Sequence, residues 1–256
     1  MATGNFITLP DGNALECARE PARRDGPTLV LLHEGLGCVA MWKDFPARLA
    51  AATGLGVLCY SRAGYGASSA IALPRPLDFH TREACEVLGP LLDAAGIGEC
   101  VLIGHSDGAS IALVYAGRVA DPRVRGVAVM APHVLTEDKT LRTIAAADRA
   151  FREHGLRERL ARYHGDNVDR AFRGWCDAWL DPGFRRWDIC DAVAAITVPV
   201  LCIRGNDDPY NTPVHAERIA ALAGARRVDL ADCGHAPHAE QTDAVLALLD
   251  DFVAAL

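Results

Sequence analysis

The residues best equipped for chemistry fall in short clusters far apart along the chain. The first is Gly104-His105-Ser106-Asp107-Gly108, a G-x-S-x-G motif between the apolar run CVLIG and the helical pattern ASIALVYAG. A serine hydroxyl is a weak nucleophile until a neighbouring base takes its proton. Strand, sharp turn and helix form the setting that makes one reactive. The turn presents the hydroxyl, glycines let strand and helix approach, and the helix aims its first amides at the reacting oxygen. Ser106 is therefore the expected nucleophile. A nucleotide-binding turn is the rival reading, and the sequence lacks the G-x-G-x-x-G or Walker pattern it would need. Asp107 as nucleophile is opposed by the register, because Gly104 and Gly108 flank Ser106 symmetrically. Asp107 is expected to lend its backbone N–H, with its side chain pointing away or toward solvent. His105 is expected to hold the turn.

The second cluster, Asp232-Cys233-Gly234-His235-Ala236-Pro237-His238, follows the strand-like Arg227–Ala231 and precedes the last helical pattern. That places His235 on a loop at a strand's carboxyl end, where it can serve Ser106 as general base. His238 falls at the start of the helix, where capping or solvation is expected. The third cluster, Arg204-Gly205-Asn206-Asp207-Asp208-Pro209, supplies two candidates for the acid that orients His235. Glu137 and Asp138 lie several residues beyond an earlier strand and are weaker candidates. A tetrahedral intermediate also needs two preorganised N–H donors. One is the amide of Asp107. The other is expected at Gly35 in the loop His33-Glu34-Gly35-Leu36-Gly37, with Leu36 as the alternative donor.

These clusters need a scaffold that brings strand ends together. Short apolar runs at Thr28–His33, Gly56–Ser61, Cys100–Gly104, Val124–Ala131 and Val198–Arg204 alternate with helical patterns at Ala40–Ala52, Phe79–Ala95, Gly108–Arg118, Pro213–Ala223 and Ala239–Ala255. Near-continuous apolar runs suit strands covered on both faces, and the alternation implies a doubly wound α/β sheet. Phe6–Leu9 and Ala14–Arg19 flank a Pro-Asp-Gly-Asn turn and read as an antiparallel hairpin. Residues 136–192 carry helical periodicity without a strand-like run. They are read as a helical lid inserted into a core of residues 1–135 and 193–256. The lid holds Trp175 and Trp179, four apart on one helix face, which could wall a pocket or pack the lid down. His133 follows a strand end close to the expected site and, with Leu36, is a candidate substrate contact.

With these residues in place the chain resembles the α/β-hydrolase fold superfamily along nearly its whole length. It looks most like lidded small-molecule hydrolases of the esterase, lactonase and meta-cleavage hydrolase type. The matching stretches are HEGLG, Ser61–Ser68, GHSDG, GNDD and GHAPH. The resemblance implies a cofactor-free, metal-free Ser-His-Asp enzyme. Relatives carry the aspartate three residues past the glycine, which selects Asp208 and leaves Asp207 as a turn residue bonding its own backbone. The chain departs from the family at Ser61, where aspartate is usual, and at Glu34, where glycine is usual. The latter puts an acid beside the oxyanion site, either turned outward to a partner or tuning substrate choice.

Bulk properties bound the function. The 26 basic and 33 acidic residues leave a charge of −7, unlike the basic stripe that nucleic-acid binding demands. Nine cysteines, scattered singly, fit neither a disulfide framework nor a zinc site, so a reducing cytoplasm is expected. The first residues lack the pattern of a signal peptide, and no apolar stretch approaches the ~20 residues of a membrane span. The expected lid carries equal numbers of basic and acidic side chains, giving no reason to favour a highly charged substrate. The expected activity is hydrolysis of a small, largely neutral ester, lactone or related acyl compound. Alternatives are C–C cleavage of a ring-fission diketone, a non-catalytic binder, or a lyase or cofactor-free oxygenase on the same residues.

Overall fold

The computed structural model describes residues 5–256. Eight strands form one sheet: β1 (Asn5–Thr8), β2 (Ala14–Glu20), β3 (Thr28–Leu32), β4 (Val57–Tyr60), β5 (Cys100–His105), β6 (Val124–Met130), β7 (Val200–Gly205) and β8 (Arg226–Leu230). Their order is β1-β2-β4-β3-β5-β6-β7-β8. The β1–β2 and β2–β4 pairs are antiparallel, and all the others are parallel. This is the doubly wound α/β sheet with an antiparallel hairpin that the apolar runs imply.

Period-two alternation splits the strand side chains between two cores. Val30, Leu32, Leu58 and Leu102 face one side, against helices that carry Leu88, Leu91, Ile111 and Ile219. Leu29, Leu31, Val57, Val101 and Ile103 face the other, against Phe45, Leu49, Val245 and Leu249. Strands buried on both faces cannot alternate polar and apolar, which is why their sequences read as continuous runs.

Several helices depart from their expected bounds. The helix expected from Ala40 is a single turn at Val39–Trp42, then Phe45–Thr53. Lys43, at φ 53°, separates them. Pro46 suits the first turn of the second piece, where its missing N–H costs nothing. The stretch from Phe79 widens to i→i+5 bonding over Glu83–Leu88 before closing as Gly89–Ala94. Pro90 has no N–H to give to the carbonyl four residues back. The last helical pattern breaks into Pro237–Glu240 and Thr242–Ala254.

Between β6 and β7 the chain leaves the sheet for the helices Asp138–Glu153, Leu156–His164 and Val168–Leu180. Their inner faces build a third, separate cluster around Phe151, Phe172, Trp175, Trp179 and Phe184. Phe151 and Phe172 stack with ring centres 3.8 Å apart. The short helix Cys190–Ala194 turns back to the sheet, where Ala192 and Val193 join the main core. Among the described residues, no helix is long and apolar enough to cross a membrane.

Candidate active site

Each chemical cluster sits just past the carboxyl end of a parallel strand. β5 runs into Ser106, whose backbone adopts φ 53° and ψ −116°, a conformation that L residues avoid and that a strained turn imposes. The flanking glycines are required by contact. A Cβ at Gly104 would overlap the carbonyl of Gly108, and one at Gly108 would overlap the carbonyl of Leu32. The turn is pinned by the Ser106 amide, which donates to Met130 O at 2.9 Å.

At the end of β7, Gly205 permits a second close approach. A Cβ there would strike the carbonyls of Cys233 and Gly234, so its absence lets the His235 loop close over the Asp208 loop. The outcome is a continuous hydrogen-bonded chain. His235 Nδ1 lies 2.7 Å from Asp208 Oδ2, and His235 Nε2 lies 3.0 Å from Ser106 Oγ. Nδ1–H donates to the carboxylate, so Nε2 is left to accept from the serine hydroxyl. Asp208 is 1% exposed. Burial alone would raise its pKa, but His235 and the Tyr210 amide together hold it below the usual carboxylate value. The tyrosine ring of residue 210 packs on His235, with centroids 4.5 Å apart.

The neighbours differ from expectation in three places. Asp207 does not make the turn bond; Asp208 does, with Oδ1 accepting from the amides of Tyr210 and Asn211, while Asp207 is exposed. A single aspartate thus serves both the loop and the histidine through its two oxygens. His238 neither caps nor solvates its helix. Its ring is buried against Trp42 at 4.8 Å and Phe45 at 5.5 Å, and burial pushes its pKa down to about 3. The Asp107 side chain points neither away nor to solvent. It is 1% exposed, 3.2 Å from His80 Nε2, and accepts from Trp179 Nε1 at 3.3 Å. Burial opposes its ionisation, but His80 holds its pKa low, while burial keeps His80 itself neutral. His80 was not legible as a site residue, because one histidine in an amphipathic helix carries no signal of its partner.

The loop after β3 is fixed by its carbonyls. His33 Nδ1 donates to Glu34 O at 2.7 Å, the Arg62 guanidinium donates to the carbonyls of His33 and Glu34, and His164 Nε2 donates to Leu36 O at 2.9 Å. Among the described residues, the amides of Gly35 and Leu36 donate to nothing. Asp107 opens the helix Asp107–Val114, so its N–H has no intrahelical acceptor. At Ser61, where relatives carry aspartate, the hydroxyl donates to Glu16 and accepts from the Val39 amide, bridging the two.

These groups open on a cavity of about 270 Å³. Ser106, His235, Gly35, Leu36 and His133 line it from below, while Ile144, Leu160, Trp175 and Trp179 line it from the inserted helices. Trp175 sits directly on Gly35, where a Cβ would overlap its indole nitrogen. Both tryptophans therefore pack the inserted helices down and wall the cavity. His133 is buried and kept neutral by desolvation, with its ring 5.9 Å from that of His235 and its Nδ1 unpartnered. Glu34 does not turn outward. Its carboxylate lines the cavity and lies 3.6 Å from His105 Nδ1. Burial would raise its pKa, but His105 beside it holds the carboxyl well below the usual range. His105 donates from Nε2 to His235 O at 2.6 Å, so it does hold the turn, by tying it to the next loop. The weaker acids are occupied elsewhere: Glu137 pairs with His215, and Asp138 pairs with Arg185 at the surface. No cluster of three or more His, Cys, Asp or Glu among the described residues could hold a metal ion.

Comparison with known proteins gives this geometry a family. The model of the alpha/beta hydrolase family matches residues 29–248. The chain is 30% identical to pimeloyl-[acyl-carrier protein] methyl ester esterase of Stenotrophomonas maltophilia, over 90% of this chain and 94% of that one. It is 28% identical to the magnesium-chelatase 30 kDa subunit of Rhodobacter capsulatus, over 90% and 87%. Among solved structures, the enol-lactonase from Burkholderia xenovorans LB400 superposes with a TM-score of 0.74 at 24% identity, covering 98% of this chain and 100% of that one.

Proposed function

The chain belongs to the alpha/beta hydrolase family, and from that premise we propose that it is a serine hydrolase of small, largely neutral esters, lactones or related acyl compounds. The observation that carries the reading is the unbroken chain Asp208–His235–Ser106, at 2.7 and 3.0 Å, opening on a cavity with mostly apolar walls.

In this reading Ser106 Oγ attacks the substrate carbonyl as its proton passes to His235 Nε2. Asp208 stabilises the imidazolium that forms and keeps its Nδ1 directed inward. The oxyanion is received by the amides of Gly35 and Asp107, whose lack of protein acceptors supports the assignment. Collapse of the intermediate expels the alcohol, which takes the proton from His235 and leaves an acyl group on Ser106. Water enters, gives a proton to His235, and attacks the acyl carbon; the second collapse returns the free serine. The helices over the cavity act as a lid, excluding bulk water and presenting Trp175, Trp179 and Ile144 to the substrate, with Leu36 and His133 contacting it from below.

The test combines labelling and turnover. A fluorophosphonate should add to Ser106 and to no other residue, and hydrolysis of short p-nitrophenyl esters should fall by at least about 10⁴-fold in Ser106→Ala. A second reading, a non-catalytic subunit on the same fold, is supported by the likeness to a chelatase subunit. Unlabelled Ser106, together with no Ser106-dependent turnover across a panel of esters, lactones and ring-fission products, would favour it.

A further inference from the structure

We propose that Glu34 forms a cation-accepting subsite within the catalytic cavity, so that the preferred substrate is a small acyl compound bearing one ammonium or comparable positive group. The inference rests on the hydrolase reading above and changes one part of its substrate, from a largely neutral acyl compound to one that carries a single positive charge. The absence of net charge on the inserted segment describes its surface, whereas the cavity beneath has a charge of its own.

The side chains that wall the cavity include two carboxylates, Glu34 and Asp107, and no lysine or arginine. Asp107 is engaged with His80 and Trp179 and is almost wholly buried. Glu34 is free by comparison. It is 24% exposed, and among the described residues neither carboxylate oxygen accepts a hydrogen bond from a side chain or backbone amide at ordinary distance. Its nearest polar neighbour is His105 Nδ1, which at 3.6 Å is beyond hydrogen-bond reach and has no partner of its own.

His105 commits its other ring nitrogen elsewhere, with Nε2 donating to the carbonyl of His235 at 2.6 Å. His33 and His238, the other imidazoles nearby, are held neutral by burial. Arg62 gives its guanidinium hydrogens to the loop carbonyls. A carboxylate that faces a largely apolar cavity with unfilled acceptors favours a donor or cation that can meet it. The cavity is the side from which one can come. Trp175, Trp179 and Tyr210 line the same space, residue types that commonly accompany cations in pockets. An anionic substrate would instead meet Glu34 as a like charge, with no counterion on the wall.

The test uses two esters of the same shape, 2-(trimethylammonio)ethyl acetate and 3,3-dimethylbutyl acetate, which differ only in the charge. In the unmodified protein kcat/KM should favour the cation by about tenfold or more. In Glu34→Gln, which keeps the size and loses the charge, the ratio should fall toward one. Glu34→Asp should keep part of the preference, which separates charge from folding. The ratio is read, not the absolute rate. The same pair is also bound to Ser106→Ala, with and without Glu34→Gln, so the preference is measured even without turnover. A ratio near one in the unmodified protein, or one indifferent to Glu34→Gln, overturns the subsite. Absence of Ser106-dependent turnover with a Glu34-dependent binding preference would instead sink the hydrolase reading and leave the subsite standing.

Discussion

The floor and the roof of the cavity are built on different principles. The floor consists of residues at strand ends, where backbone geometry leaves almost no choice: Ser106 in a forbidden conformation, Gly104, Gly108 and Gly205 admitting carbonyls that any Cβ would strike. The roof is built from helices packed through side chains, with stacked phenylalanines and two indoles pressed on Gly35 and Asp107. A floor set by backbone tolerates almost no substitution, whereas a roof set by packing can be rebuilt with other large apolar residues. In the proposed reading the reaction class resides in the floor, and substrate choice resides largely in the roof and in Glu34.

Perturbing each part puts this contrast to the test. On the floor, Asp208→Asn should lower kcat by roughly 10³–10⁴-fold, because the amide cannot hold the His235 tautomer; stopped-flow or steady-state ester hydrolysis reads it directly. A loss below tenfold would mean the floor is less constrained than its geometry implies. Acid should also strike the floor before the roof. His33, His80, His133 and His238 have pKa values lowered by burial, as does His164 in the roof. A histidine whose folded pKa is depressed adds no penalty above the unfolded pKa of about 6.5. Below it, the unfolded chain takes up a proton that the folded one refuses, so stability falls with pH. At pH 5 each such ring should cost up to about 2 kcal/mol. Guanidinium unfolding at pH 8 and pH 5 measures the sum, and His238→Phe should flatten the dependence. Equal stability at both values would show that these rings are protonated in the fold.

Smaller effects belong to the roof. Trp179→Phe keeps an aromatic ring but removes the N–H given to the Asp107 carboxylate, and should lower stability by about 1–3 kcal/mol. Thermal melts check this, and kcat should change far less than in Asp208→Asn. Smallest of all is Asp207→Asn, expected within about threefold of the original rate, since that side chain is exposed and bonds to nothing. If it matched Asp208→Asn in kinetic assays, the two adjacent aspartates would have to exchange roles.

The same contrast explains what could be read from sequence. Ser106 and His235 stand in motifs whose spacing is imposed by backbone turns, and backbone demands leave glycines and short polar residues in the sequence; the choice of Asp208 over Asp207 came from the family resemblance. The strands were legible because burial on two faces writes an unbroken apolar run. Side-chain partnerships across the fold leave no such mark. Nothing near Asp107 announces His80 or Trp179, which come from helices 27 and 72 positions away. His238 looks like a helix-start residue until Trp42 and Phe45, contributed from the other end of the chain, enclose it. The turn bond expected of Asp207 is made by Asp208 instead, because in sequence such a bond looks the same from either aspartate. Glu34 was recognisable as unusual, but its direction depends on how the glycine at 37 and the imidazole at 105 leave room for it.

The placement of the indoles has one more consequence. All four tryptophans stand at one end of the molecule, three in or beside the helical roof and the fourth beneath His238. Intrinsic tryptophan emission from this protein is therefore weighted toward that end, and two of its four sources, Trp175 and Trp179, line the cavity itself. A change in its colour or intensity on adding a compound is an optical readout of occupancy that needs no dye, no label and no turnover.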